Sequence, residues 1–64
     1  MMVTADRLTA DDATTVNGQG VRVVRTQKYC DGPFMGLVVT PLVGPFDPRS
    51  VVVCRTDGFT LIPA

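Results

Sequence analysis

Runs of β-branched and other apolar residues recur along the chain between short clusters of Gly, Pro, Asn and Asp, the pattern of strands punctuated by turns. Residues 21–28 (VRVVRTQK), 34–43 (FMGLVVTPLV) and 50–56 (SVVVCRT) are the three clearest strands. A fourth run, 59–62, follows Asp57-Gly58, a dipeptide suited to a two-residue type I′ turn, and is expected to pair antiparallel with 50–56. A fifth, 13–16, leads into Asn17-Gly18-Gln19-Gly20, whose positive-φ residues suit a tight reversal into Val21. Near the start, Thr4 stands where its side chain can cap a helical turn and Asp6 lies in the first turn, so one short helical turn is expected there.

Between the strands, Asp31-Gly32-Pro33 and Gly44-Pro45-Phe46-Asp47-Pro48 mix φ-locked and φ-permissive residues and read as loops. Pro41 falls inside the long run 34–43, where its missing amide predicts a bend or an end. Three stretches depart from simple alternation. Phe34-Met35-Gly36-Leu37-Val38-Val39, Val51-Val52-Val53 and Val23-Val24 carry apolar residues at both parities, so each strand presents them on both faces. Bulges or covering loops account for this in one reading, and an exposed apolar patch for a partner accounts for it in the other.

Composition sharpens the class. Eleven Val and eight Thr make up nearly a third of the 64 residues, which favours strands over helices. A chain this short supports one domain, 1–64, with nearly every large apolar side chain in a single core. Six basic residues balance six acidic ones, which argues against a general coat for nucleic acid. Nothing approaches the length of a membrane span, and MMVTADRL lacks the basic and apolar segments of a signal peptide. A cytoplasmic location, with no membrane partner, is therefore expected.

Five short strands joined by tight turns hide their edges most economically by rolling into one small open barrel. The expectation is an all-β, five-stranded barrel with one short N-terminal helical turn. The order of a turn carrying Leu8, a strand ending at Val16-Asn17-Gly18, then Val21-Arg22-Val23-Val24, Ser50-Val51-Val52-Val53 and a final hairpin resembles small SH3-like β-barrel proteins, including uncharacterised ones of high-GC phages. The family often opens its first strand with Gly-Asp, where this chain has Asp11-Asp12. The five-to-one excess of Arg over Lys, without Glu, resembles the usage of GC-rich genomes. An OB-like barrel and a dimer sharing a sheet are the alternatives.

Catalytic equipment is sparse. There is no His to act as base for a nucleophile. Asp11-Asp12 point to opposite sides on a strand or stand solvated at a turn, and Asp31, Asp47 and Asp57 each adjoin Gly or Pro, so all read as turn residues. Cys30 and Cys54 can bridge, but without an export signal two free thiols are expected, with Cys54 in or near the core. Two cysteines without His do not fill a tetrahedral zinc site in one chain. No enzymatic activity, cofactor or metal is expected.

Binding is the remaining class. Phe34 and Met35 on the two-faced run, with Phe46 and Arg49 in or beside a proline-stiffened loop, are candidate contacts for another protein, since aromatic residues and arginine dominate hot spots. Phe46 folded back over the barrel mouth is the alternative. Arg22, Arg25, Lys28 and Arg55 are candidates for a phosphate-tracking face, with Tyr29, Phe34 or Phe46 as stacking platforms. Strict alternation puts Arg22 and Lys28 on one side and Arg25 on the other. The sequence thus favours a protein-binding module, such as a phage-encoded modulator of a host protein. A nucleic-acid-binding barrel and a structural subunit of a homo-oligomeric assembly are the alternatives.

Overall fold

Asn17 and Gly18 take left-handed backbone, with φ of 51° and 80°, as a type I′ turn requires. They set Val16 opposite Gln19 and so fix the register of the first hairpin. The computed structural model describes residues 1–28 and 32–63, with Lys28 described in its backbone alone. In chain order the strands are β1 (Met2–Thr4), β2 (Ala13–Val16), β3 (Gln19–Lys28), β4 (Phe34–Pro41), β5 (Arg49–Cys54) and β6 (Gly58–Thr60), with a 3-10 turn at Ala5–Arg7.

The protein is all-β, as its composition predicts, but it has six strands in two sheets and no closed barrel among the described residues. One sheet is the antiparallel meander β2-β3-β4-β5, and the other pairs β1 with β6. A bridge between Thr14 and Leu61 joins them, flanked by Ile62 N–H donating to Ala13 O at 2.8 Å and Thr14 Oγ1 donating to Thr60 O at 2.8 Å.

The additional strand is β1, whose three residues are too few to show a period. It exists because β6, distant in sequence, holds it. This pairing overturns the expected hairpin between the last two strands. Asp57 N–H donates to Cys54 O at 3.0 Å, so the chain reverses at Arg55-Thr56, and neither Asp57 nor Gly58 has a positive φ. That tight turn carries the chain from one sheet to the other, where β6 meets β1. The helical turn lies where expected, but Thr4 does not cap it. Its hydroxyl donates to the Asp6 carboxylate instead, while Leu8 N–H closes the turn on Ala5 O at 3.1 Å.

Apolar excess at both parities has three local causes. On β3 the register slips between Val23 and Arg25, so Val24 is the extra residue of a bulge and only Val21 and Val23 need reach the core. On β4, Met35, Leu37 and Val39 enter the core, while Val38 and Thr40 on the opposite side are buried because β4 lies between two neighbours. On β5, Val51 and Val53 pack against the core and Val52 stays outside. β4 ends at Pro41, Leu42 N–H makes one further bond in the same register to Gly20 O at 3.1 Å, and Val43 is exposed beyond it. Ala5 and Leu8, brought in by the 3-10 turn, complete the core beneath the meander.

Candidate interaction surface

The convex face of the meander is built from residues that alternate away from the core. Phe34 stands opposite Cys54, Gly36 opposite Gln27 and Val52, Val38 opposite Arg25 and Ser50, and Thr40 opposite Arg22. Phe34 is 52% exposed and Val52 63%, and they lie diagonally across the β4–β5 ladder, close enough for side-chain contact. Met35 does not share this face. It is 1% exposed in the core, and so is removed from the candidate contacts. Adjacent strand residues point to opposite sides, and the core claims the odd parity of β4.

Beyond the other end of β4, Phe46 is 70% exposed. It does not fold back over the core. Asp47 beside it donates its N–H to Thr40 Oγ1 at 2.8 Å, tying the loop to the end of β4, and Arg49 donates to Asp47 Oδ2 at 3.1 Å. Both members of that ion pair are largely exposed, so it orients the loop more than it stabilises the fold. Thr40 and Phe34 are six strand positions apart, about 20 Å. Phe34 and the Phe46–Arg49 loop are therefore two separate exposed sites, not one surface.

Nor do the basic residues form one face. The bulge at Val24 reverses the expected parity, so Arg22 and Arg25 both turn to the convex side. Lys28 pairs with Met35 in the register, and its side chain lies outside the described residues. Arg55 follows β5, which β4 separates from β3, and its N–H donates to Pro33 O at 2.7 Å at the end of the sheet opposite Arg22. Arg22 donates to Asp11 O at 2.9 Å. Tyr29, Cys30 and Asp31 lie outside the described residues.

Asp11, Asp12 and Asp57 serve the backbone, as turn residues do. Asp12 Oδ2 accepts the Thr9 N–H at 2.9 Å, Asp11 holds φ of 74°, and the two exchange backbone bonds with Val23 on either side, at 2.8 Å each. Cys54 carries a free, half-buried thiol 3.3 Å from Thr56 Oγ1. Among the described residues no group of three His, Cys, Asp or Glu side chains is placed to hold a metal ion, and no helix is long and apolar enough to cross a membrane.

Two features were not foreseen from the sequence. A cleft of about 430 Å3 opens beside β2, between Asp11, Arg22, Leu42, Ile62 and Pro63, assembled from four chain segments that the β2–β3 ladder, the Leu42 N–H bond to Gly20 O and the Thr14–Leu61 bridge bring together. The second is the free edge of β5, discussed below. Its only sequence signal is the uninterrupted Val51-Val52-Val53. No protein-family model matches the chain, and no curated protein matches it.

Proposed function

We propose that this chain is a non-enzymatic protein-binding module whose principal contact is the Phe46 loop. One observation carries the reading: Phe46 is 70% exposed on a loop braced by the Asp47 N–H to Thr40 Oγ1 bond. An aromatic side chain already held in solvent loses little conformational freedom on docking, and Arg49 beside it adds a charged contact of the kind found in hot spots. The chemistry that fits is a partner pocket lined with apolar side chains and rimmed by a carboxylate. Phe34 and Val52 form a second, smaller apolar contact at the far end of the sheet. The same reading treats the two sheets as one SH3-like open barrel, supported by the bridge between Thr14 and Leu61 that links them. The nucleic-acid alternative draws less support, because Arg22 and Arg25 lie at a distance from Arg55 and balanced charge leaves little net field.

A photo-reactive phenylalanine analogue in place of Phe46 tests the proposal in the native cell. The expected result is covalent capture of one specific protein from position 46 and none from the same analogue at Thr15, an exposed residue of β2. Equal capture at both positions, or none at either, contradicts it.

A further inference from the structure

Among the described residues, β5 is the terminal strand of the meander, with β4 as its only strand neighbour. In an antiparallel ladder, residues alternate between turning their N–H and C=O groups toward a neighbour and away from it. Arg55 N–H reaches Pro33 O, so Val53, Val51 and Arg49 face β4, and Cys54, Val52 and Ser50 turn their backbone groups outward. Cys54 is already closed: its N–H donates to Asp57 Oδ2 at 3.3 Å, and its carbonyl accepts the Asp57 N–H at 3.0 Å. At the other end Pro48 has no N–H to offer. The open part of the edge is therefore Ser50 and Val52, two donors and two acceptors. The segment Ser50-Val51-Val52-Val53 contains none of the usual protections of an edge: no charge, no proline, and no break in its register with β4.

We propose that β5 pairs antiparallel with β5 of a second copy of this chain, with Val51 on the two-fold axis. This register sets Ser50 against Val52 of the other copy and Val52 against its Ser50, so the two open residues of each copy satisfy each other through four backbone hydrogen bonds. Pro48, which lacks a donor, falls opposite Cys54 of the other copy, whose N–H and C=O are already used. Neither end of the pairing leaves a donor stranded. Arg49 meets Val53, and the two Arg49 residues stand four positions apart, about 13 Å, so no like charges oppose each other. The two Val51 side chains become direct neighbours on the core side, where each is only half-buried in the single chain. The β5 sequence itself supplies the matching at both ends, which is why a second copy is the occupant. The interface is isologous and closes at two, joining two four-stranded meanders into one eight-stranded sheet.

The test is light scattering of the reduced protein from micromolar to millimolar concentration, with variants that act on the edge. The wild type is expected to pass from monomer to dimer in this range. Val52→Pro removes an outward N–H without touching the β4 ladder and is expected to weaken dimerisation at least about tenfold. Should Val52→Pro fail to fold, Val52→Lys, at an exposed position, reads the same edge. In a Cys30→Ser, Cys54→Ser background, Val51→Cys is expected to form an intermolecular disulfide when treated with oxidised glutathione, because facing residues of a pair without mutual hydrogen bonds lie within bridging distance. Val53→Cys is not. A wild type that stays monomeric at millimolar concentration overturns the proposal, and so does a dimer that survives both Val52 variants or bridges through Val53→Cys in preference to Val51→Cys. The proposal is independent of the Phe46 contact: Phe46→Ala is expected to leave the dimer unchanged.

Discussion

Asp57 closes both outward backbone groups of Cys54, accepting its N–H on Oδ2 at 3.3 Å and donating its own N–H to the Cys54 carbonyl at 3.0 Å. One residue thus ends β5, its main-chain N–H setting the turn into β6 and its side chain limiting how much of the sheet edge stays open. Asp57→Ala is expected to cost about 1 kcal/mol and lower Tm by about 4–8 °C, whereas Asp57→Asn, which retains an acceptor, costs less. Thermal unfolding followed by circular dichroism measures both.

Phe34 and Met35 are adjacent in sequence and opposite in role. Met35→Ala empties a fully buried core position and is expected to cost about 2–5 kcal/mol. Phe34→Ala removes a half-exposed ring from the convex face and is expected to change stability by no more than about 0.5 kcal/mol. Urea unfolding of the two variants separates them.

The glycines offer a contrast between backbone conformation and space. A Cβ at Gly18 would meet nothing within 4 Å, yet φ of +80° disfavours any side chain, and Gly18→Val is expected to cost about 1–2 kcal/mol. A Cβ at Gly58 would come to 3.0 Å from Met2 Sδ, the flexible part of an exposed side chain, while the backbone there is ordinary. Gly58→Ala is therefore expected to be nearly neutral. Melting temperatures of the two variants decide whether conformation outweighs contact.

Those two glycines also mark how far local sequence reaches. Asn17-Gly18 adopts its preferred turn because β2 and β3 are consecutive and pair with each other. Asp57-Gly58 carries the same signal, but the pairing of β6 with β1 overrides it. Strand positions were legible from β-branched content and breakers: β2 matches its expected bounds, and β4 stops at Pro41. The face each side chain takes was less legible. One bulge residue, Val24, reverses the parity of Arg25 relative to Arg22, and nothing in VRVVRT fixes where that slip falls. Phe46 and Arg49 were recognisable as candidate contacts from residue type and a proline-bounded loop, whereas excluding Met35 required the register of β4.

Thr40 links the sheet to the proposed contact loop. Thr40→Val keeps the shape of a buried side chain and removes the acceptor of the Asp47 N–H. The loss is expected to cost about 1 kcal/mol. Hydrogen exchange at the Asp47 amide should accelerate about 5-fold or more, with amides in the centre of β4 unaffected. Unchanged exchange at Asp47 would mean that the prolines alone hold the loop.

The most direct test of the protein-binding account is calorimetric titration of the partner captured through position 46 against wild type and Phe46→Ala. A hot-spot aromatic is worth at least about 2 kcal/mol, so the account predicts that Phe46→Ala raises Kd by about 30-fold or more while the unfolding transition stays in place. An unchanged Kd with the fold intact would contradict it.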